Sequence, residues 1–371
     1  MGLVQRVIDN IEERRDRIIK GEVNCIPSPF KSFTDSFPGI EQGKYYLVSA
    51  STKGAKSQLA SYLFLYTPLL YAYNHPNQIR VKIFYFPLEE TPEKITMRFM
   101  SHLLYTRHRV RISPSKLNST VKGEIFDQKI LDALNSMEIR DILDFYESHV
   151  YFITRRNPTE CWKTVSKYAE EAGIIHRKTI IIESKGTGIK QEKEVFDYYE
   201  PKDPKEYVII FADHAGRLEQ ERGMTKKETI DKLSEYFMIF RDHYNYIPVL
   251  IQQQNSDTIS LDAFKANKIR PTYNGLMDSK QPGQDCSLML GLTCPFTFEL
   301  PTYLKYDITQ LRGYARFLEV VLNREGESNE VLPLYFDGAT NFFVPLPKYN
   351  DVPNLQKVYA LVQRNSDPTT K

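Results

Sequence analysis

A lysine and a serine stand where they could hold phosphate and a metal ion. Lys56 and Ser57 follow an apolar segment, residues 45–49, and a loop of small residues, and they begin a segment of helical character. Backbone N–H groups of such a loop and the following helix N-terminus bind phosphate oxygens. The lysine would contact the β and γ oxygens of a nucleotide, and the serine hydroxyl would ligate Mg²⁺. The candidate nucleotide-binding residues are Ser51, Thr52, Lys53, Gly54, Ala55, Lys56 and Ser57.

The loop departs from the usual pattern of phosphate-binding loops, G-x-x-x-x-G-K-[ST]. Ala50 and Ala55 stand at the two glycine positions, and a glycine is displaced to Gly54. A methyl group at Ala55 would crowd the backbone where it approaches the β-phosphate. The alternative is an ordinary strand, loop and helix with a lysine at the helix start. The choice between the two depends on the rest of the chain.

A glutamate follows the next apolar segment. Glu89 comes shortly after residues 81–86, and catalytic groups of open α/β sheets gather at the carboxyl ends of the strands. A carboxylate at that place can act as general base on an attacking water molecule. The alternative is an acid at a helix start, because Thr91-Pro92 follows directly.

An aspartate ends another apolar segment, residues 207–212. Asp213 is placed as a carboxylate that orients the Mg²⁺ shell together with Ser57. An aspartate in this position is also common in ordinary loops.

Two further segments end in groups that could respond to a γ-phosphate. Residues 247–252 lead into a run of amides that ends at Asn255, and amides can sense phosphate by hydrogen bonding. Arg324 follows residues 317–322, where a guanidinium could act as an arginine finger on a neighbouring subunit. Loop polarity and a surface arginine are the alternatives.

The elements that must position these residues form a recurring pattern. From Lys44 onward, short apolar segments alternate with helical ones, which is typical of βαβ units around a parallel sheet. Several of these segments are apolar throughout, as expected for strands buried on both faces. The predicted fold class is therefore α/β, a twisted, mostly parallel sheet flanked by helices. We predict strands at 45–49, 81–86, 150–154, 179–183, 207–212, 247–252, 288–293, 317–322 and 332–336, and helices at 57–73, 92–105, 160–172 and 227–244.

An amphipathic helix precedes the sheet. Val4, Val7, Ile8 and Ile11 fall at helical spacing in a charged segment that ends near Gly21. This apolar stripe could pack on its own domain or dock on a neighbouring subunit. We expect a linker helix at residues 1–26, one motor domain at 27–346 and a C-terminal extension at 347–371.

Composition limits the class of protein further. The chain has 371 residues, and no apolar run approaches the roughly 20 residues that a membrane span needs. Because no signal-peptide pattern is present, we expect a cytoplasmic protein. The 4 cysteines show no CxxC pair, which argues against a zinc site. Lys and Arg number 49 and Asp and Glu 47, so net charge gives no indication of a nucleic-acid partner.

Taken together and in this order, the segments resemble the DnaB family of bacterial and phage replicative helicases, a branch of the RecA-like P-loop ATPases. The resemblance runs from Val4 to Phe343. It is carried by the lead-in from Pro27 to Gly43, the phosphate loop, Phe86-Pro-Leu-Glu-Glu-Thr-Pro, Ile210-Phe-Ala-Asp, Leu250-Ile-Gln-Gln-Gln-Asn, Gly283-Gln-Asp and Val321-Leu-Asn-Arg-Glu-Gly.

The resemblance implies roles for particular residues. It makes Glu89, and not Glu90, the catalytic base, and it places the phosphate-sensing amide at Gln253. Arg324 corresponds to the arginine finger. Family members usually have a lysine two residues before the finger, where this chain has Leu322. A second cation at the γ-phosphate is therefore missing or comes from elsewhere.

The resemblance implies an ATP- and Mg²⁺-dependent DNA helicase that moves on single-stranded DNA as a homohexamer, in the 5′-3′ direction, in a bacterial cell or a phage-infected host. Primase and other replisome proteins are possible partners, although the family's N-terminal domain is not part of the matched pattern. The alternatives are a RecA-like ATP-binding regulatory or loader protein, and a catalytically inactive ring scaffold. The residues expected to contact DNA are Arg217, Arg222, Lys226, Lys265, Lys268 and Arg270.

Overall fold

The computed structural model describes residues 3–119, 126–183, 190–255, 269–328 and 330–366. Its strands are β1 (Ile26–Pro27), β2 (Gly39–Ile40), β3 (Tyr46–Ala50), β4 (Arg80–Pro87), β5 (Val150–Phe152), β6 (Gly173–Glu183), β7 (Lys190–Pro201), β8 (Glu206–Asp213), β9 (Ile247–Gln253), β10 (Leu288–Thr293), β11 (Thr302–Tyr303), β12 (Tyr306–Asp307), β13 (Ala315–Asn323), β14 (Val331–Asp337) and β15 (Phe342–Pro345).

The helices connect these strands. They are α1 (Leu3–Ile19), α2 (Lys56–Ser61), α3 (Thr67–Asn74), α4 (Pro92–His108), α5 (Pro114–Leu117), α6 (Gln128–Leu134), α7 (Met137–His149), α8 (Pro158–Ala172) and α9 (Lys226–Tyr244), with further helices at Gln281–Asp285, Ile308–Leu311 and Val352–Ser366. The π-helical segment Tyr62–Tyr66 joins α2 to α3, so residues 56–74 form one nearly continuous rod.

A nine-stranded sheet forms the centre of the protein, in the order β15-β14-β13-β10-β3-β9-β8-β4-β5. The strands from β10 to β5 are parallel, and β13, β14 and β15 add an antiparallel edge. One apolar core lies between the sheet and the side that carries α2, α3, α4 and α7, and a second lies under α8 and α9. Burial on both faces explains why strands such as β3 and β8 are apolar along their length.

The topology confirms the predicted α/β class and brings the candidate residues to one edge. Because β3, β4, β8 and β9 are mutually parallel neighbours, their carboxyl ends meet there. The residues that follow those ends are the phosphate loop, Glu89, Asp213 and the amide run. Their meeting is thus a consequence of strand order.

One predicted strand belongs elsewhere. Residues 179–183 were expected in the parallel sheet, but they form the end of β6, which pairs only with β7 in an antiparallel ribbon. The side chain of Ile181 is 66% exposed, so this apolar run is not a core strand. Its partner β7 is rich in charged residues and was not predicted, because a ribbon solvated on both faces lacks the apolar signature of a buried strand.

The amphipathic helix α1 forms as expected but leaves its apolar stripe uncovered. Val4 is 72% exposed and Ile11 is 61% exposed. Polar residues make the contacts of α1 with its own chain: Arg14 pairs with Glu41, and Arg6 lies over the Tyr198 ring. The apolar stripe is therefore open to a partner surface.

Candidate nucleotide-binding site

The phosphate loop is a tight turn between β3 and α2. The N–H of Gly54 donates to the carbonyl oxygen of Ser51 at 3.0 Å, which closes the turn. A Cβ atom at residue 54 would lie 2.9 Å from the Cβ of Ala50, so only glycine fits there without movement. The displaced glycine therefore has a steric reason to stand at 54.

Ala55 adopts a left-handed backbone conformation, with φ 74° and ψ 31°, immediately before the first turn of α2. Glycine tolerates this region, whereas an L-residue is strained there by roughly 1–2 kcal/mol. The backbone thus keeps the shape of a glycine-containing phosphate loop although the residue is alanine. The cost of Ala55 is in backbone strain as well as in crowding near phosphate.

Ala55→Gly should consequently raise the free energy of unfolding by up to about 1 kcal/mol, because it relieves the left-handed strain. Nucleotide affinity should stay the same or increase. Ala50→Gly is the matched control, since Ala50 occupies the other glycine position but lies in a strand and is fully buried. That variant should lose about 0.5–1 kcal/mol. Chemical denaturation of both variants measures the difference, and a destabilised Ala55→Gly would contradict the strain argument.

Ser57 and Asp213, which are 156 residues apart in the sequence, meet at the start of α2. The Ser57 hydroxyl donates to Oδ1 of Asp213 at 2.9 Å, and the Tyr85 hydroxyl donates to Oδ2 at 3.3 Å. Burial raises the pKa of Asp213 to about 6, and the Ser57 hydrogen bond and the charge of Lys56 oppose that rise. Both partners of this buried carboxylate are neutral hydroxyls. A hard cation such as Mg²⁺ would supply the missing charge, and the oxygen donors of Ser57 and Asp213 suit it.

The two neighbouring glutamates have different surroundings. Oε1 of Glu90 accepts from the guanidinium of Arg98 at 2.6 Å, so its charge is neutralised within the chain. Oε2 of Glu89 lies 3.3 Å from Nδ1 of His214, and burial, followed by the charge of Lys56, lowers the pKa of His214 to about 4. The imidazole is therefore neutral at neutral pH. Of the two, Glu89 retains a carboxylate that is free to accept a proton from water.

His214 was not among the predicted site residues. It directly follows Asp213, and its ligand atom groups with those of Glu89 and Asp213 within 4.8 Å in the described part of the chain. A histidine next to a strand-ending aspartate is the sequence signal that could have indicated it. The same applies to Tyr85, a phenol inside the otherwise apolar strand β4.

The structure separates the three glutamines at the end of β9. The side chain of Gln253 donates to the Thr52 hydroxyl at 2.6 Å and thus touches the phosphate loop. Gln252 donates to the carbonyl oxygen of Ser279 at 2.7 Å, and Gln254 donates to the Ser49 hydroxyl at 2.8 Å. Only the Gln253 amide contacts the part of the loop that would face a nucleotide.

Arg324 lies at the opposite edge of the sheet from the phosphate loop of its own chain. Asn323, at the end of β13, pairs with Leu288 at the start of β10, and Leu288 pairs with Tyr46 at the start of β3. The loop begins about four residues further along β3, or roughly 13 Å. Nε of Arg324 donates to the carbonyl oxygen of Cys286 at 2.8 Å. This arginine is therefore not positioned to serve its own nucleotide site.

The residues predicted to contact DNA are dispersed. Arg217 and Arg222 are exposed in the segment after β8, and Nζ of Lys226 donates to the carbonyl oxygen of Leu218 at 2.7 Å. Arg270 is exposed, with its guanidinium 4.0 Å from the carboxylate of Glu319. Lys265 and Lys268 lie outside the described residues.

Fold and site together define a RecA-like P-loop ATPase domain. The chain is similar to the solved ATPase domain of a DnaB-like helicase, with a TM-score of 0.62 and 14% identity over 94% of this chain and 100% of that one. It is also similar to a DnaB-like replicative helicase solved with attention to its interactions with primase, with a TM-score of 0.59 and 13% identity over 93% of this chain and 67% of that one.

The protein thus has the fold of the ATPase domains of DnaB-like replicative helicases, which confirms the resemblance at the level of the fold. No protein-family model matches the sequence, and no curated protein matches it. Among the described helices, none is both long and apolar enough to cross a membrane.

Proposed function

We propose that this protein is an ATP-hydrolysing motor of the DnaB-like helicase class, which acts on single-stranded DNA. The observation that carries the proposal is the 2.9 Å hydrogen bond between Ser57 and Asp213 at the mouth of the phosphate loop. It joins a hydroxyl and a buried carboxylate of the kind that hold Mg²⁺ in P-loop ATPases. An ordinary strand, loop and helix with a surface lysine has no need of this pair.

The residues divide the work of phosphoryl transfer to water. ATP and Mg²⁺, when bound, supply the transferable phosphoryl group and a cation that neutralises its charge. Lys56 and the N–H groups of the loop hold the phosphates, while Ser57 and Asp213 hold the metal. Glu89 accepts the proton of the attacking water. The Gln253 amide, through its contact with Thr52, reports on the state of the phosphate loop to the segment that follows β9.

Assembly into a homohexamer follows from two features of the isolated chain. Arg324 is too far from its own phosphate loop to act there, and a ring places it against the loop of a neighbour. The uncovered apolar stripe of α1 provides a surface for docking on that neighbour. Arg217, Arg222, Lys226 and Arg270, with Lys265 and Lys268, would face DNA phosphates in the ring. The ring would act in the cytoplasm of a bacterial cell or a phage-infected host.

The decisive experiment is an ATPase assay with and without single-stranded DNA. We expect turnover that requires Mg²⁺, rises when single-stranded DNA is added and is abolished in Lys56→Ala. Steady turnover that ignores DNA would favour a RecA-like regulatory or loader protein. Nucleotide binding without turnover would favour an inactive ring scaffold, for which the strained Ala55 is the specific observation. Either result would contradict the motor.

A further inference from the structure

Arg316 is a buried cation that touches the phosphate loop from below. It is the second residue of β13 and is only 6% exposed. Its Nε donates to the carbonyl oxygen of Gly54 at 3.0 Å, and its Nη1 donates to the carbonyl oxygens of Gly313 and Ala315 at 2.8 Å each. Because β13 runs antiparallel to β10, this end of the strand lies at the same edge as the nucleotide site.

The charge of Arg316 has no anionic counterpart in the described part of the chain. Buried charges in proteins are normally paired, because taking an ion out of water is costly. Over the ranges that the structure covers, no carboxylate lies within 4.0 Å of the guanidinium, whose central carbon is 4.9 Å from the Phe336 ring centroid. Burial lowers the pKa of Arg316 for this reason, with only the Cys294 thiol opposing the effect. Backbone carbonyls alone balance the charge.

The contact with Gly54 acts on the peptide group that faces the phosphates. In a trans peptide the C=O and N–H groups point in opposite directions, so the N–H of Ala55 points away from Arg316 and into the loop. A charged donor on the carbonyl polarises the peptide and makes its N–H a stronger donor. Arg316 thereby both fixes the strained turn at Ala55 and strengthens one of its donors.

We infer that Arg316 is a positioning residue for polyphosphate binding, whose buried positive charge is offset by the phosphates of the nucleotide. This inference rests on the proposed ATP binding and deepens it. Sequence comparison with the resembled family leaves one cation missing, at Leu322, yet Leu322 lies near the opposite end of β13, away from the loop. The cation that Arg316 provides belongs to the same chain as the loop and is present before any neighbour docks.

The test compares the affinities of three nucleotides for three variants. Arg316→Gln removes the charge, Arg316→Lys keeps it, and Arg312→Gln removes an exposed charge four residues away as the matched control. In Arg316→Gln, affinity for ATP should fall by about tenfold or more, affinity for ADP should fall less, and affinity for AMP should hardly change. Arg316→Lys should retain most of the preference for ATP over AMP, and Arg312→Gln should behave as the wild type.

Several outcomes would overturn the assignment. They are unchanged ATP affinity in Arg316→Gln, an equal loss for ATP and AMP, which indicates general damage to the loop, or an Arg316→Lys as impaired as Arg316→Gln. If Arg316→Gln does not fold by circular dichroism, Arg316→Lys carries the test, and loss of its preference for ATP over AMP refutes the inference. A wild-type chain that binds none of the nucleotides would refute ATP binding itself, which is a distinguishable result.

Discussion

Arg324→Ala should reduce ATP turnover by about 10³- to 10⁵-fold while leaving nucleotide binding intact, as removal of arginine fingers does in related chemistry. The reason is positional. Arg324 lies beyond the end of β13, at the sheet edge opposite to the phosphate loop of its own chain, so its charge can reach only the site of another subunit. Lys56 and Ser57, which bind the nucleotide, are untouched by the change. Arg312→Ala, which alters an exposed arginine at the other end of the same strand, should keep normal turnover.

Mixed rings separate a finger in trans from a structural role. Arg324 also donates to carbonyl groups of Gln284 and Cys286 in its own chain, so its loss could disturb that turn. Arg324→Ala and Lys56→Ala subunits, each inactive alone, should regain activity when mixed. At equal amounts, about a quarter of the interfaces pair an intact loop with an intact finger. Mixtures that co-assemble but stay inactive at every ratio would refute the trans role.

Glu89→Gln should lower turnover by about 10²- to 10⁴-fold, the usual contribution of a general base. The amide has nearly the shape of the carboxylate, so binding of ATP should persist, but it cannot take a proton from water. Single-turnover kinetics with ATP in the absence and presence of single-stranded DNA measure the chemical step directly.

Glu90→Gln is the matched control for that experiment. Glu90 is the adjacent residue and carries the same charge, yet its carboxylate is held by Arg98. Breaking that partly buried pair should cost stability and leave the chemical step within about tenfold of the wild type. If Glu90→Gln stops hydrolysis while Glu89→Gln does not, the assignment of the two glutamates must be reversed.

The sequence was most informative where local pattern decides structure. Apolar segments buried on both faces identified the strands of the central sheet, and the chain order of strands and helices indicated the α/β class. It also placed a lysine and serine after one strand and an aspartate after another. These features depend on neighbouring residues only. For the same reason the ribbon of β6 and β7 was misread, because local apolarity at residues 180–182 does not reveal what covers them.

The tertiary structure decided which groups meet. Ser57 and Asp213 are 156 residues apart, and only the order of strands in the sheet brings them to 2.9 Å. The choice of Glu89 over Glu90 depends on Arg98, and the choice of Gln253 over its neighbours depends on which side chain reaches Thr52. Arg316 reads in the sequence as an ordinary charged residue near a strand start. Its contact with Gly54, 262 residues away, exists because antiparallel pairing returns β13 to the edge where the phosphate loop lies, and no local pattern encodes that pairing.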